Sequence, residues 1–168
     1  GLTRFASSSI HQSTHREDTG VRVRVVTGNR IGVASTNDFT LEGARRAAEH
    51  ALEMANVVAP DPQFPGLAPA AEVSHVDLYD EATASVTPAS RAEGVADLVG
   101  QCPDGFTAAG AFETIASEVA VANTEGQFCW APSTMASITT VVSGGDGGHG
   151  FAEVFEPATS DVDPVAIG

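Results

Sequence analysis

Apolar and charged residues alternate over Val21-Arg22-Val23-Arg24-Val25, and a period of two marks a strand with one buried face. A second apolar run, Ile31 to Ser35, follows a turn at Thr27-Gly28-Asn29. With a three-residue loop, Val25 faces Ile31, Val23 faces Val33 and Val21 faces Ser35. All the apolar side chains then share one face, and Asn29 takes the left-handed position such loops need. A two-residue Gly28-Asn29 loop would instead pair Val25 with Gly32 and Val23 with Ala34, leaving Ile31 and Val33 beside the arginines. The three-residue loop is expected.

The period then changes to that of a helix. Thr40 is placed to cap it, and Leu41, Ala44, Ala48, Ala51, Leu52 and Ala55 form its apolar stripe. Glu42 to Arg46 and Arg45 to Glu49 are spaced as ion pairs on the wet face. Pro60, Pro62, Pro65 and Pro69 end the helix and open an extended connector. Thr87-Pro88, a cap followed by proline at the first helical position, announces a second helix with Ala92, Val95, Ala96 and Val99 on its apolar face and Gly100 at its end. From Phe106 onward the chain reads as strands: Phe106 to Ala122, interrupted near Glu113, Ser137 to Val142, and Phe151 to Phe155. Asn123-Thr124-Glu125-Gly126 reads as a hairpin turn and Gly144 to Gly150 as a flexible loop. This order predicts an α+β fold, a largely antiparallel sheet of long hairpins with two helices packed on one face. Residues 1–155 are expected to form one domain, and 156–168, acidic and without periodicity, a linker or frayed end toward a further domain.

Charge adds an asymmetry. The net charge is −14, yet residues 1–50 hold seven Arg against five acids, while the remainder holds Arg91 against seventeen. No lysine occurs, and basic residues are not interleaved with aromatics, so nucleic acid is not expected as a partner. The sequence contains neither a basic leader with an apolar core nor a twenty-residue apolar run, so no signal peptide or membrane span is expected within it. Cys102 and Cys129 are too few for a disulfide scaffold and too isolated for a zinc site, and are expected as free thiols in a reducing cytoplasm.

Candidate chemistry is sparse. His11 and His15 have the spacing of paired helical zinc ligands, but they lie in a strand-like Ser/Thr stretch that would hold them about 13 Å apart, with no Glu between them to act as a base. Gly144-Gly145-Asp146-Gly147-Gly148-His149-Gly150 lacks the Lys-Ser/Thr ending of a phosphate loop and reads as a hairpin loop. Glu113, Glu118 and Glu125, or Asp161 and Asp163, can be paired on paper, as can a Ser133, His149, Asp146 triad. Acids are abundant in this chain, and no Gly-x-Ser-x-Gly elbow is present. Trp130, beside Phe128 and Pro132, reads as a packed hairpin edge or a subunit contact. Catalytic, cofactor-binding and metal residues are therefore all expected to be absent.

Four segments together carry a family resemblance. Thr3-Arg4-Phe5-Ala6-Ser7-Ser8-Ser9-Ile10-His11-Gln12, the strand pair from Val21 to Asn37, Asp61-Pro62-x-Phe64-x-Gly66-Leu67, and Val121-Ala122-Asn123-Thr124-Glu125-Gly126-Gln127 resemble, in order, the amino-terminal domain of the TldD/PmbA proteins. The wording from Arg4 to Gln12 is closer to the PmbA, or TldE-like, subunit. That family, also labelled modulator of DNA gyrase, works as a two-subunit zinc-dependent protease of unfolded peptides. Its catalytic subunit binds zinc through His-Glu-x-x-x-His and a distant Cys beyond the amino-terminal domain. His-Glu-x-x-x-His does not occur here, so the sequence is expected to be a piece of a longer protein and does not itself display a catalytic site. The resemblance implies a non-catalytic domain that contributes to subunit assembly and to a chamber for unfolded peptide, with a second TldD/PmbA-type subunit as partner in a cytoplasmic dimer. Zinc is expected only in a catalytic subunit at full length. The competing expectation is a stand-alone binding or oligomerisation domain unrelated to proteolysis.

Overall fold

The computed structural model describes residues 1–145 and 147–168, which divide into two compact units. One comprises Gly1–Arg16, Ala70–Ala122 and Gly126–Gly168; the other comprises Glu17–Pro69 and Asn123–Glu125. The α+β class and the long antiparallel hairpins are as expected. The two expected helices, however, lie on different sheets.

The first unit is built on a five-stranded antiparallel sheet. Its strands are β1 (Leu2–Ala6), β2 (Ser9–Thr14), β5 (Phe106–Ala122), β6 (Phe128–Gly144) and β7 (His149–Glu156), in the spatial order β2-β1-β5-β6-β7. Its helices are α2 (Glu81–Ala84), α3 (Pro88–Val99) and the terminal α4 (Pro164–Ile167). Even-numbered residues of β5 and β6 face the core: Ala108 and Phe112 pack with Ala136 and Ile138, and with Phe5, Val95, Leu98 and Val162. On α3 the buried face is Arg91, Gly94, Val95 and Leu98, not the expected Ala92, Val95, Ala96 and Val99. Gly94 sets this rotation, since a Cβ there would press on the Phe112 ring at 2.8 Å. Thr87 caps α3 through the Ser90 amide, with Pro88 at its first position, as the sequence implies.

β5 runs unbroken through Glu113, and β6 extends well beyond Ser137–Val142 at both ends. The two pair along all seventeen residues, from Phe106↔Gly144 to Ala122↔Phe128. β1 pairs only with Gly110–Glu113 of β5, and β7 only with Ala136–Ser143 of β6. Residues 115–122 and 128–135 thus form a two-stranded extension of the sheet. The β1–β2 turn places Ser7 and Ser8 at φ 49° and 58°, costly for residues other than glycine. Main-chain and side-chain bonds between Ser8 and Ala108 hold it there.

Residues 156–168, expected as a linker or frayed end, are ordered. A 3-10 turn at Thr159–Asp161 leads into α4, which Asp163 caps by accepting from the Val165 and Ala166 amides. Val162 between them is part of the core. The missing periodicity misled because a single buried valine and one cap are enough to fix so short a segment.

The second unit is a hairpin, β3 (Val21–Thr27) and β4 (Arg30–Thr36), under α1 (Leu41–Val57). Here the expected register is wrong. Val25 pairs with Gly32, Val23 with Ala34 and Val26 with Ile31, across a two-residue loop whose Gly28 and Asn29 both have positive φ. Val33 is consequently exposed on the arginine face. The reason is the helix: a Cβ at Gly32 would overlap the Ala51 carbonyl oxygen and the Ala55 amide, so only glycine lets α1 approach this closely. The buried stripe of α1 is correspondingly Gly43, Ala47, Ala51 and Ala55. Leu41 and Leu52, assigned to the stripe from the sequence, are exposed. Thr40 caps α1 through the Gly43 amide as expected. Arg46 pairs with Glu42 at 3.6 Å and with Asp38 at 2.5 Å, while Arg45 reaches Glu42 at 3.8 Å. Asp61 donates its amide to the Asn29 carbonyl, which fixes the proline-rich connector to the hairpin turn.

Candidate functional site

The paired extension of β5 and β6 carries several exposed apolar side chains. One face presents Ile115, Val119 and Val121; the other presents Trp130 and Phe128. Trp130 is 55% exposed and Phe128 68%, and the Trp130 indole N–H donates to Glu118 at 3.4 Å. Trp130 and Glu118 are both even-numbered and share a face, so the contact follows from strand parity and a diagonal cross-strand step. Residues 70–80 accompany β6: Ala71 N–H donates to Gln127 at 2.6 Å and Leu78 accepts from the Thr134 amide at 2.8 Å. This segment adds exposed Val73, Val76, Leu78 and Tyr79. Partial desolvation, then the hydrogen bond to Glu81 and the nearby carboxylates including Glu118, raises the Tyr79 phenol above its ordinary range. The surface is thus apolar with an acidic margin and is suited to contact, since no nucleophile is paired with a base on it.

The residues singled out from sequence are dispersed. His11 is the extra residue of a bulge in β2, between Gln12 opposite Arg4 and Ile10 opposite Phe5, and both His11 and His15 are exposed. Ser133 exchanges a hydrogen bond with Ser117 at 3.0 Å. His149 pairs opposite Ser143 and bonds its hydroxyl at 3.0 Å, which puts it about 33 Å along β6 from Ser133. Asp146, the third member of that paper triad, lies outside the described residues. Glu113 and Glu118 fall on opposite faces of β5 by parity, and Asp163 is committed to its cap. Gly144 and Gly148 close the β6–β7 turn through a main-chain bond of 2.9 Å, and β7 follows it directly. Cys102 and Cys129 are free.

One feature escaped the sequence reading. Arg91 is 1% exposed, with Nη1 donating to Thr114 Oγ1 at 3.0 Å and to the Val86 carbonyl at 3.4 Å, and Nε to Thr3 Oγ1 at 3.4 Å. Its Nη2 is buried without a partner, and burial lowers its pKa. Its position at the start of α3, a helix otherwise rich in small apolar residues, is the only hint in the sequence. No helix among the described residues is long and apolar enough to cross a membrane.

Residues 2–55 match the family model described as PmbA/TldA metallopeptidase domain 1. Among curated proteins no sequence relative is found. Several solved structures share the fold, three of them as follows. TldE from Thermococcus kodakarensis is 16% identical with a TM-score of 0.89, covering 99% of this chain and 39% of its own. A proposed modulator of a DNA gyrase from Thermotoga maritima is 13% identical with a TM-score of 0.83, again over 99% and 39%. A proposed modulator of DNA gyrase from Bacteroides thetaiotaomicron is 15% identical with a TM-score of 0.77, over 99% and 40%. The chain therefore spans about two fifths of the length of these structures. Among the described residues, no three His, Cys, Asp or Glu side chains are grouped so that they could hold a metal ion.

Proposed function

We propose, from the premise that this chain carries a TldD/PmbA-type amino-terminal domain, that it is a non-catalytic part of a metalloprotease subunit which assembles with a second TldD/PmbA-type subunit and helps to wall a chamber for unfolded peptide. In this reading zinc belongs to the catalytic subunit, and the pair works in the cytoplasm, where free Cys102 and Cys129 are at home. The observation that carries it is the β5–β6 extension, with Val119, Val121, Phe128 and Trp130 left exposed. Apolar side chains exposed on both faces of a two-stranded ribbon suit a partner that clasps it, and aromatic side chains are typical anchors of a contact site.

The test is assembly. Light scattering on this chain mixed with a catalytic TldD-type subunit should give a mixed complex, which Trp130→Glu and Val119→Glu weaken without changing the circular dichroism of the chain. A chain that never joins the catalytic subunit, or that joins it equally well with both substitutions, overturns this reading.

A further inference from the structure

The two edges of the five-stranded sheet differ. β2, at one edge, is blunted by the bulge at His11, a device that discourages further pairing. β7, at the other, is eight residues long and regular in its pairing with β6, and among the described residues no strand pairs its far side. Every second residue of β7 therefore presents an open main-chain donor and acceptor. Beside it, on the helix-covered face, is a cleft of about 500 Å³ lined by Pro103, Phe106, Thr140, Val142, Phe151 and Ile167, with Gly150 and Ala152 of β7 in its wall. Two polar side chains break its otherwise apolar wall: His149, whose ring bonds the Ser143 hydroxyl, and Thr140, which is 1% exposed and whose Oγ1 has no hydrogen-bond partner.

Charge selects the occupant. β7 carries Glu153 and Glu156 and no cation, within a chain of net charge −14. Pairing β7 with a second copy of itself would bring glutamates together, which is unfavourable, whereas a basic strand complements it. Parity sets the order of side chains. Gly150 and Ala152 face the cleft; Glu153 faces the opposite side, where it accepts from Thr139 Oγ1 at 3.3 Å.

We propose that the free edge of β7 and this cleft bind an extended peptide that pairs antiparallel with β7, seats a large apolar side chain in the cleft opposite Ala152, and sets a basic side chain opposite Glu153. In an antiparallel partner the residue opposite Glu153 precedes the one opposite Ala152, so the site reads a basic residue followed by an apolar one. The proposal rests on the peptide-holding reading above and specifies where and how the peptide is held.

The probe is a fluorescein-labelled peptide, acetyl-Ser-Thr-Arg-Phe-Thr-Ser-amide, titrated against this chain by anisotropy, with amide chemical shifts locating the contact. Binding should perturb β7 amides and weaken with salt. Gly150→Leu should abolish it by filling the cleft from within, since a Cβ at Gly150 meets open space and the fold should tolerate it. Glu153→Gln should weaken it by about two- to fivefold, the range of a cross-strand ion pair, and leave a Ser-Phe version of the probe unaffected. The reversed Phe-Arg order should bind more weakly. Equal binding of both orders overturns the register. Binding that ignores both substitutions, or shifts elsewhere on the chain, overturns the site while leaving the chamber reading intact. No binding at all also overturns the site, and the assembly experiment is read independently of it.

Discussion

Arg91 is the residue whose burial most needs explaining. Its hydrogen bonds go to Thr3, Thr114 and a carbonyl, and Nη2 goes unpaired. A buried cation compensated only by neutral acceptors costs much of what its packing contributes. Arg91→Met, which keeps the aliphatic volume and drops the charge, should therefore change stability by less than about 1 kcal/mol, whereas Arg91→Ala should cost about 2–4 kcal/mol by opening a cavity. Urea melts of the two variants check this, and comparable losses would show that the guanidinium itself is needed. Two aspartates contribute to the acid limb. The Thr40 hydroxyl, with Arg46 nearby, lowers the Asp38 pKa, and the Thr83 hydroxyl and amide lower that of Asp80. Both folded values lie below the ordinary 3.8, so the stability these groups supply is fully present above that value and is lost as pH falls through the folded one. Melts between about pH 2 and pH 6 should show Asp38→Asn and Asp80→Asn each flattening the acid limb. An unchanged slope would remove these groups from the account.

At the scale of elements, the β3–β4 hairpin under α1 is held by absence of side chain as much as by its presence. Gly32→Val should cost about 2–3 kcal/mol, because the helix backbone at Ala51 and Ala55 must move away. Val23→Ala should cost about 1 kcal/mol from a half-buried position, and exposed Arg24→Ala less than that. Thermal melts ranking Gly32→Val as the most damaging would confirm the two-residue register. This hairpin also shows how far the sequence could be read. The two strands of this hairpin, the caps at Thr40 and Thr87 and the Asn123–Gly126 turn were legible, because each depends on local chemistry. The register was not. Counting Ile31 and Val33 as core residues favoured the wrong loop, since the helix that decides the matter presents only Gly43, Ala47, Ala51 and Ala55. A stripe that small needs a glycine opposite, not a valine. The same bias misassigned Leu41 and Leu52, which are 82% and 44% exposed. The apolar surface of the β5–β6 extension was legible only in part. Trp130 reads from the sequence as a packed hairpin edge or a subunit contact, but the unbroken length of both strands, which leaves it exposed, is a matter of pairing across the turn.

At the scale of the whole molecule, the order of the strands in the sheet departs from their order along the chain. β1 and β2 are the first strands made, yet β1 lies beside β5, with Phe5 opposite Gly110 and Leu2 opposite Glu113, more than a hundred residues later. β5 and β6 are joined by a turn of a few residues. Closing that turn is fast and costs little entropy, whereas bringing β1 to β5 closes a long loop. Refolding followed by pulsed hydrogen exchange should therefore protect amides of 115–122 and 128–135 before those of 2–6, and simultaneous protection would refute this sequence of events. During synthesis the same arrangement leaves β1 with an unsatisfied edge until the ribosome has added β5. The left-handed Ser7 and Ser8 turn, which is anchored by Ala108 of β5, can settle only then. The amino terminus of this domain is thus the first part to be made and the last to be finished, and a nascent chain stalled before Phe106 would offer its first hairpin to whatever strand or chaperone it meets.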